Sequence, residues 1–163
     1  MKSIIVASVI LFSGLANPAF AVCGTGVSYL TQAEIESLLS SKYACGRSTA
    51  DPPGWNELHG AGSNSSVTEQ HYGDINNPPE VVGTWFTSNT TTVITGSNTR
   101  GRVTYNYGSI SPVYEVANNG TGACGGSACT LAGTYQFCGV GGAPTLTIAI
   151  STTVNSLTTC PSN

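Results

Sequence analysis

Along Arg102-Val103-Thr104-Tyr105-Asn106-Tyr107, apolar and polar side chains alternate. In an extended chain Val103, Tyr105 and Tyr107 share one face, and the polar residues between them share the other. A strand with one buried and one solvated face is typical of antiparallel sheets. The stretch therefore predicts a strand of an antiparallel sheet.

Segments with a similar pattern lie on both sides of this strand. Tyr135 and Phe137 share a face of one, and Leu146, Ile148 and Ile150 share a face of another. Together with runs rich in Val and Thr they predict six strands, at residues 81–88, 91–95, 102–107, 113–117, 134–138 and 145–151. The short connections are rich in Gly, Asn, Ser and Pro, which favours hairpins. We expect a mainly β (small α+β) fold, in which an antiparallel meander of about six strands forms a curled sheet or an open half-barrel.

One amphipathic helix precedes the strands. Thr31 and Glu34 have the spacing of a capping box, and Leu30 and Ile35 have that of a hydrophobic staple. Apolar residues then recur at helical spacing. We expect a helix over about residues 31–43, with Gly46 as its C-terminal cap, packed on the sheet.

Residues 46–79 show neither the strand period nor the helix period, and they contain several clusters of Pro, Gly, Asn and Ser. This composition predicts an irregular loop. Loops longer than about 12 to 15 residues in compact domains are usually functional or disordered. A functional site is therefore expected in this segment first.

The N-terminus has the pattern of a secretory signal. A single basic residue, Lys2, precedes an apolar run, and Ala19-Phe20-Ala21 supplies the small-x-small step that a signal peptidase recognises. The run is too short to span a bilayer, which needs about 20 apolar residues. We expect residues 1–21 to be removed and residues 22–163 to form a single domain without a membrane span, secreted, periplasmic or at the cell surface.

The chain has six cysteines, all beyond the expected cleavage point: Cys23, Cys45, Cys124, Cys129, Cys138 and Cys160. An even number of cysteines in an exported chain indicates disulfides. The short, glycine-containing stretch between Cys124 and Cys129 favours a local bridge. The other four pair either as Cys23 with Cys45 and Cys138 with Cys160, or as Cys45 with Cys138 and Cys23 with Cys160. The second arrangement is favoured slightly, because Cys138 is predicted to face away from Tyr135 and Phe137, towards a segment that covers the sheet.

The charge of the mature chain argues against a nucleic-acid partner. Removal of Lys2 leaves four of the five basic residues against eight acidic ones. Binding to a nucleic-acid backbone needs clustered Lys and Arg. The sequence does not otherwise identify a partner, and self-association or a surface partner remains an open alternative.

Two Glu-x-His pairs are the only repeated arrangement of chemically active residues. They are Glu57 with His59 and Glu69 with His71, and Asp74 follows the second pair. Residues i and i+2 of an extended segment point the same way, so each pair is able to converge on one divalent transition metal such as zinc or copper. The alternative, which we favour, is that they are polar loop residues bonded to backbone or water, with no cofactor.

Three segments together carry a resemblance to known proteins. They are Val103-Thr104-Tyr105-Asn106-Tyr107-Gly108, Tyr114-Glu115-Val116 and Gly133-Thr134-Tyr135-Gln136-Phe137-Cys138. The series resembles a VxYxYG...GxYxFC pattern of small exported bacterial β-proteins with no named activity. This resemblance implies no catalytic residue.

Gly83-Thr84-Trp85-Phe86 resembles the Gly-x-Trp opening of lipocalin and avidin barrels. Those barrels need about eight long strands around a cavity. The sequence predicts about six short strands, so Trp85 is predicted to fill the core instead.

A non-catalytic binding or structural domain is the leading functional hypothesis. The cysteines are assigned to bridges, and no Gly-x-Ser-x-Gly elbow is present. Glu57 with Glu69 or Asp74 is able to form a carboxylate pair for hydrolysis, but no feature of the sequence requires it. The alternatives are metal binding through the Glu-x-His pairs and a subunit of an extracellular filament or matrix that assembles by strand addition.

Overall fold

The computed structural model describes residues 23–24, 27–46, 55–69, 79–95, 98–117, 124–125, 128–129, 133–153 and 160. These residues form one helix, α1 (Gln32–Leu39), and ten strands: β1 (Tyr43–Gly46), β2 (Trp55–His59), β3 (Ser65–Glu69), β4 (Glu80–Thr95), β5 (Asn98–Asn106), β6 (Val113–Ala117), β7 (Cys124–Gly125), β8 (Ala128–Cys129), β9 (Gly133–Val140) and β10 (Leu146–Ser151). The predicted mainly β fold with one short helix is confirmed. The expected signal segment, residues 1–21, lies outside the described residues.

Eight of the strands close into an antiparallel barrel. Strands β1 to β6 pair in chain order, β6 pairs with β9, β9 with β10, and β10 closes the barrel on β1. The remaining two strands, β7 and β8, form a separate hairpin between β6 and β9. The antiparallel meander was predicted, but the prediction of about six strands in an open half-barrel is wrong.

The strand count differs from the prediction because three strands lie in segments that lack a strand pattern. Strand β1 lies where the helix was expected to end, and β2 and β3 lie in the predicted irregular loop. The inward-facing residues of β2 are Trp55, Glu57 and His59, so polar residues occupy the face that sequence reasoning expects to be apolar. Strand β4 differs from the prediction in the opposite direction. The two strands predicted at 81–88 and 91–95 form one strand, with register shifts between Asn89 and Val93.

The barrel encloses the hydrophobic core. Inward-facing residues of every barrel strand contribute, and the largest fully buried side chains there are Trp85, Tyr135 and Phe137. Trp85 therefore fills the core, as predicted. The alternating apolar faces that were read from separate strands all belong to this one interior.

Helix α1 closes one end of the barrel. Ile35, Leu38 and Leu39 on its inner face are buried in the same cluster as the barrel interior. The predicted capping box is confirmed: the Thr31 hydroxyl accepts a hydrogen bond from the Glu34 backbone N–H, and the Glu34 carboxylate accepts one from the Thr31 backbone N–H at 2.8 Å.

The helix ends earlier than predicted. It stops at Leu39, and Ser41, with φ 56°, turns the chain into β1. Gly46, predicted as the helix cap, lies in β1 instead. The chain leaves the helix at Ser40 and Ser41 because serine has only a weak preference for helix interiors.

Polar contacts fasten α1 to the strand ends at this closed end. Gln32 Nε2 donates to the Thr87 carbonyl at 3.3 Å, and Ser40 Oγ accepts from the Gly62 N–H at 3.1 Å. Gly101 lies so close to the backbone of Thr31 and Gln32 that a β-carbon there would collide with it. The closed end is therefore built for close contact between the helix start and β5.

Two disulfides link barrel strands to Cys23, which precedes the barrel in sequence, and to Cys160, which follows it. Cys23 bonds Cys138 with a Cα–Cα distance of 5.7 Å, and Cys45 bonds Cys160 with one of 5.6 Å. Both pairings considered from the sequence for these four cysteines are therefore wrong, including the favoured Cys45 with Cys138 and Cys23 with Cys160. Cys138 does face away from the core, as predicted, but the segment that covers it is the N-terminal one, which includes Val27 and Tyr29.

The remaining two cysteines lie in the small hairpin. Cys124 is directly opposite Cys129 in the register of β7 and β8. This register brings the two Cα atoms together as a bridge requires. The Cys124–Cys129 bridge itself stays a prediction.

Candidate functional site

A cavity of about 200 Å³ lies at the end of the barrel opposite α1. Its walls come from the strand ends that are remote from the helix and from the connection between β5 and β6. Nine of the described residues line it: Trp55, Glu57, Tyr105, Tyr107, Ile110, Pro112, Tyr114, Leu146 and Ile148. The lining is therefore aromatic and aliphatic except for one carboxyl group and the tyrosine hydroxyls.

Two strands that are not neighbours place the polar groups of this cavity. Strand β2 points Glu57 and His59 into the barrel, because residues i and i+2 of a strand share a face. Strand β5 points Tyr105 and Tyr107 inwards in the same way. The barrel order places β3 and β4 between β2 and β5, so these side chains meet across the interior.

Glu57 and Tyr107 form the outer of two contacts across the barrel. The Tyr107 hydroxyl lies 2.9 Å from both carboxylate oxygens of Glu57. Burial raises the pKa of Glu57 to about 7, although the hydrogen bond from Tyr107 opposes this rise. The carboxyl group therefore changes its protonation state near neutral pH, where an ordinary glutamate is ionised.

His59 and Tyr105 form the inner contact. His59 Nε2 lies 3.0 Å from the Tyr105 hydroxyl, and the histidine is fully buried. Burial lowers the pKa of His59 to about 4, against a smaller opposing effect of the backbone at Lys42 and Glu57. The imidazole is therefore neutral at physiological pH.

Three tyrosines form adjoining aromatic walls. The rings of Tyr105 and Tyr107 are parallel, with centroids 5.7 Å apart, and the ring of Tyr114 meets that of Tyr105 edge to face at 6.1 Å. Burial raises the pKa of all three hydroxyls, and the Glu57 carboxylate raises them further. The tyrosines therefore remain neutral over the physiological range.

A row of carboxylates continues from Glu57 across the neighbouring strands. Glu69 of β3 is directly opposite Glu57, and Glu80 of β4 is directly opposite Glu69. Directly opposed side chains share a face of the sheet, and like charges in such positions repel. The Glu69 carboxylate accordingly adds to the rise in the pKa of Glu57.

The structure brings together part of the predicted metal site. Glu57 and His59 share a face, as predicted, and Glu69 lies opposite Glu57, whereas His71 and Asp74 lie outside the described residues. Among the described residues no three Asp, Glu, His or Cys side chains are arranged to hold a metal ion. Metal binding through the Glu-x-His pairs stays a prediction.

Sequence reasoning did not identify Tyr105 and Tyr107 as the hydrogen-bond partners of His59 and Glu57. Tyr105 and Tyr107 were assigned only to a buried face, although a buried phenol usually needs a hydrogen-bond partner. The inward tyrosine pair of β5 and the inward Glu57 and His59 of β2 have the same spacing of two residues. This matching spacing is the feature of the sequence that indicates that the two pairs of side chains are able to meet.

Comparison of the chain with family models, curated proteins and solved structures finds no match to any of them. The resemblance to small exported bacterial β-proteins therefore stays a prediction. In the described ranges no helix has the length and hydrophobicity needed to cross a bilayer. The two disulfides indicate an oxidising compartment.

Proposed function

We propose that the protein is an exported, non-catalytic binding protein that holds a small molecule at the open end of its barrel. The observation that supports this function is the mostly apolar cavity with one carboxyl group and its phenol partner. Small-molecule sites are typically concave and apolar, with few polar groups that orient the ligand. Export is supported by the signal pattern at the N-terminus and by the two disulfides.

The size of the cavity limits the ligand. Its volume is about 200 Å³, somewhat larger than an engineered protein cavity of about 150 Å³ that binds benzene. A single ring or a branched group of similar size fits this space. Long polymers would have to project most of their length into solvent.

A binding experiment on the oxidised chain tests the proposal. Ring-sized apolar fragments are titrated into ¹⁵N-labelled protein, and the Trp55 indole N–H is followed by NMR. Leu146→Phe narrows the cavity, whereas Val81→Phe adds the same ring on the outside of β4, where Val81 is 68 % exposed. We expect Leu146→Phe to lose binding and Val81→Phe to keep it. An absence of shifts with every fragment, or shifts confined to other surfaces, would refute the proposal.

Acid–base catalysis is a second candidate, and a specific observation favours it. Glu57 has a pKa of about 7, and Glu69 lies directly opposite it. A carboxyl group that titrates near neutral pH in a cleft is able to act as a general acid or base. Hydrolysis of a glycan, ester or peptide panel that is abolished by Glu57→Gln or Glu69→Gln would replace the binding proposal with this one.

Assembly into a filament by strand addition remains a prediction, and the closed barrel offers few sheet edges for it. Strand addition needs an unpaired sheet edge. Each barrel strand in the described residues pairs on both sides. Sedimentation and electron microscopy of concentrated protein test assembly, and a persistent monomer argues against it.

A further inference from the structure

Resting on the proposed binding function, we propose that the ligand is a small organic cation, an ammonium group with apolar substituents, held between the Glu57 carboxylate and the rings of Tyr105, Tyr107 and Tyr114. These side chains all line the cavity. A cation is attracted to the electron-rich faces of aromatic rings, and clusters of such rings recognise quaternary ammonium groups.

The arrangement of the rings suits a compact cation. The parallel pair, Tyr105 and Tyr107, and the steeply inclined Tyr114, at 69° to Tyr105, supply surfaces in two directions. Trp55 adds a further ring to the lining. Aliphatic residues such as Ile148 and Leu146 complete the wall and suit the apolar substituents of the ligand.

The charges of the described residues around the cavity have one sign. Glu57 is the only acidic or basic residue in the described lining, and Glu69 lies opposite it in the register. The two arginines of β5 alternate with its inward-facing residues and instead pair with Glu115, at 3.0 Å for Arg100 and 2.9 Å for Arg102. Among the described lining residues an anion would meet a carboxylate and no basic side chain, so this lining favours cations over anions.

Cation binding should also depend on pH through Glu57. In the described part of the chain the titratable groups that face this carboxyl group are the three tyrosines and Glu69, and the buried His59 lies two residues away on the same strand. Burial keeps the tyrosines neutral above neutral pH, and the pKa of His59 is lowered to about 4. Since the pKa of Glu57 is about 7, its ionised fraction, and with it the affinity for a cation, rises about tenfold from pH 6 to pH 8.

The experiment compares charged ligands with uncharged ligands of the same shape. The probes are choline against 3,3-dimethyl-1-butanol, in which carbon replaces the quaternary nitrogen, and benzylamine against benzyl alcohol. The carboxylate 3,3-dimethylbutanoate, which carries the same tert-butyl group, is the anionic probe. Affinities are measured by NMR titration at pH 6 and pH 8. We expect a cation to bind at least about tenfold more tightly than its uncharged partner at pH 8, and the anion to bind least.

Two variants separate the charge effect from folding. Glu57→Gln should remove the preference for the cation and its pH dependence while leaving binding of the uncharged partner. Glu115→Gln changes a carboxylate on the outer face of β6, next in sequence to Tyr114, and should leave the preference intact. Thermal unfolding of each variant verifies that it is folded.

The outcomes distinguish this inference from the proposed function. If the uncharged partners bind as tightly as the cations, the cation inference is overturned and the binding function stands. If no probe binds and the apolar fragments also fail, both fall. A cation preference that survives Glu57→Gln would likewise overturn the role given to this carboxylate.

Discussion

Glu57 should make the stability of the fold fall as the pH rises. Burial raises its pKa from 4.5 to about 7 in the folded chain, so the folded state holds its proton more tightly than the unfolded state does. The stabilising effect of this proton is fully present below pH 4.5 and is lost as the pH rises through 7. The pKa difference corresponds to about 2 to 3 kcal/mol, the lower figure allowing for the partial exposure of Glu57 to the cavity.

His59 changes stability in the opposite direction over part of the same range. Its pKa is lowered from 6.5 to about 4 in the folded chain, so stability decreases as the pH falls from 6.5 towards 4. The two effects partly cancel in the wild type between these values. The difference between the wild type and Glu57→Gln isolates the contribution of the carboxyl group.

Glu57→Gln removes the ionisable proton and keeps a carbonyl oxygen that can accept from Tyr107. We expect the variant to match the wild type near pH 4.5 and to exceed its free energy of unfolding by about 2 to 3 kcal/mol at pH 8. Urea unfolding at half-unit steps from pH 4.5 to pH 8, without ligand, measures the difference. Glu80→Gln, at an exposed position of the same carboxylate row, serves as the control. Parallel curves for Glu57→Gln and the wild type would refute the assigned burial of this carboxyl group.

Three further predictions concern the barrel and its bridges. Loss of the Cys23–Cys138 bridge, which spans 115 residues, should lower the free energy of unfolding by about 4 to 5 kcal/mol, against about 2 kcal/mol for Cys124→Ser/Cys129→Ser; equal losses in urea unfolding would contradict the framework. Gly101→Ala should cost about 1 to 3 kcal/mol, because its β-carbon would collide with the start of α1, and an unchanged melting temperature would contradict that close packing. Tyr105→Phe leaves the buried His59 Nε2 without its partner and should cost about 1 to 3 kcal/mol; its urea midpoint would match that of the wild type if the contact were absent.

The strands that sequence reasoning found are those whose inward face is apolar. Val103 and Tyr105 of β5 and Ile148 and Ile150 of β10 are examples, and the bounds predicted for β6 are those observed. Strand β2 was missed because Glu57 and His59 point inwards. Polar side chains that point into the interior remove the apolar alternation by which a strand is recognised. Without β1, β2 and β3 the sheet was expected to stay open, whereas with them it closes into a barrel.

The candidate site was half predictable for a related reason. The shared face of Glu57 and His59 follows from local spacing alone. Their partners, Tyr107 and Tyr105, lie 50 and 46 residues further along the chain, and only the closed barrel brings them across. The disulfide pairing was missed in the same way, since it depends on tertiary contacts that bring Cys23 to Cys138 of β9 and Cys160 to Cys45 of β1.

The two disulfides have a consequence for cleavage of the chain. Cys23 and Cys45 lie before the central stretch of the chain, and their partners Cys138 and Cys160 lie after it. A protease that cuts once between Cys45 and Cys138 therefore produces two fragments that two covalent links still join. The nicked protein would migrate as one species until its disulfides are reduced.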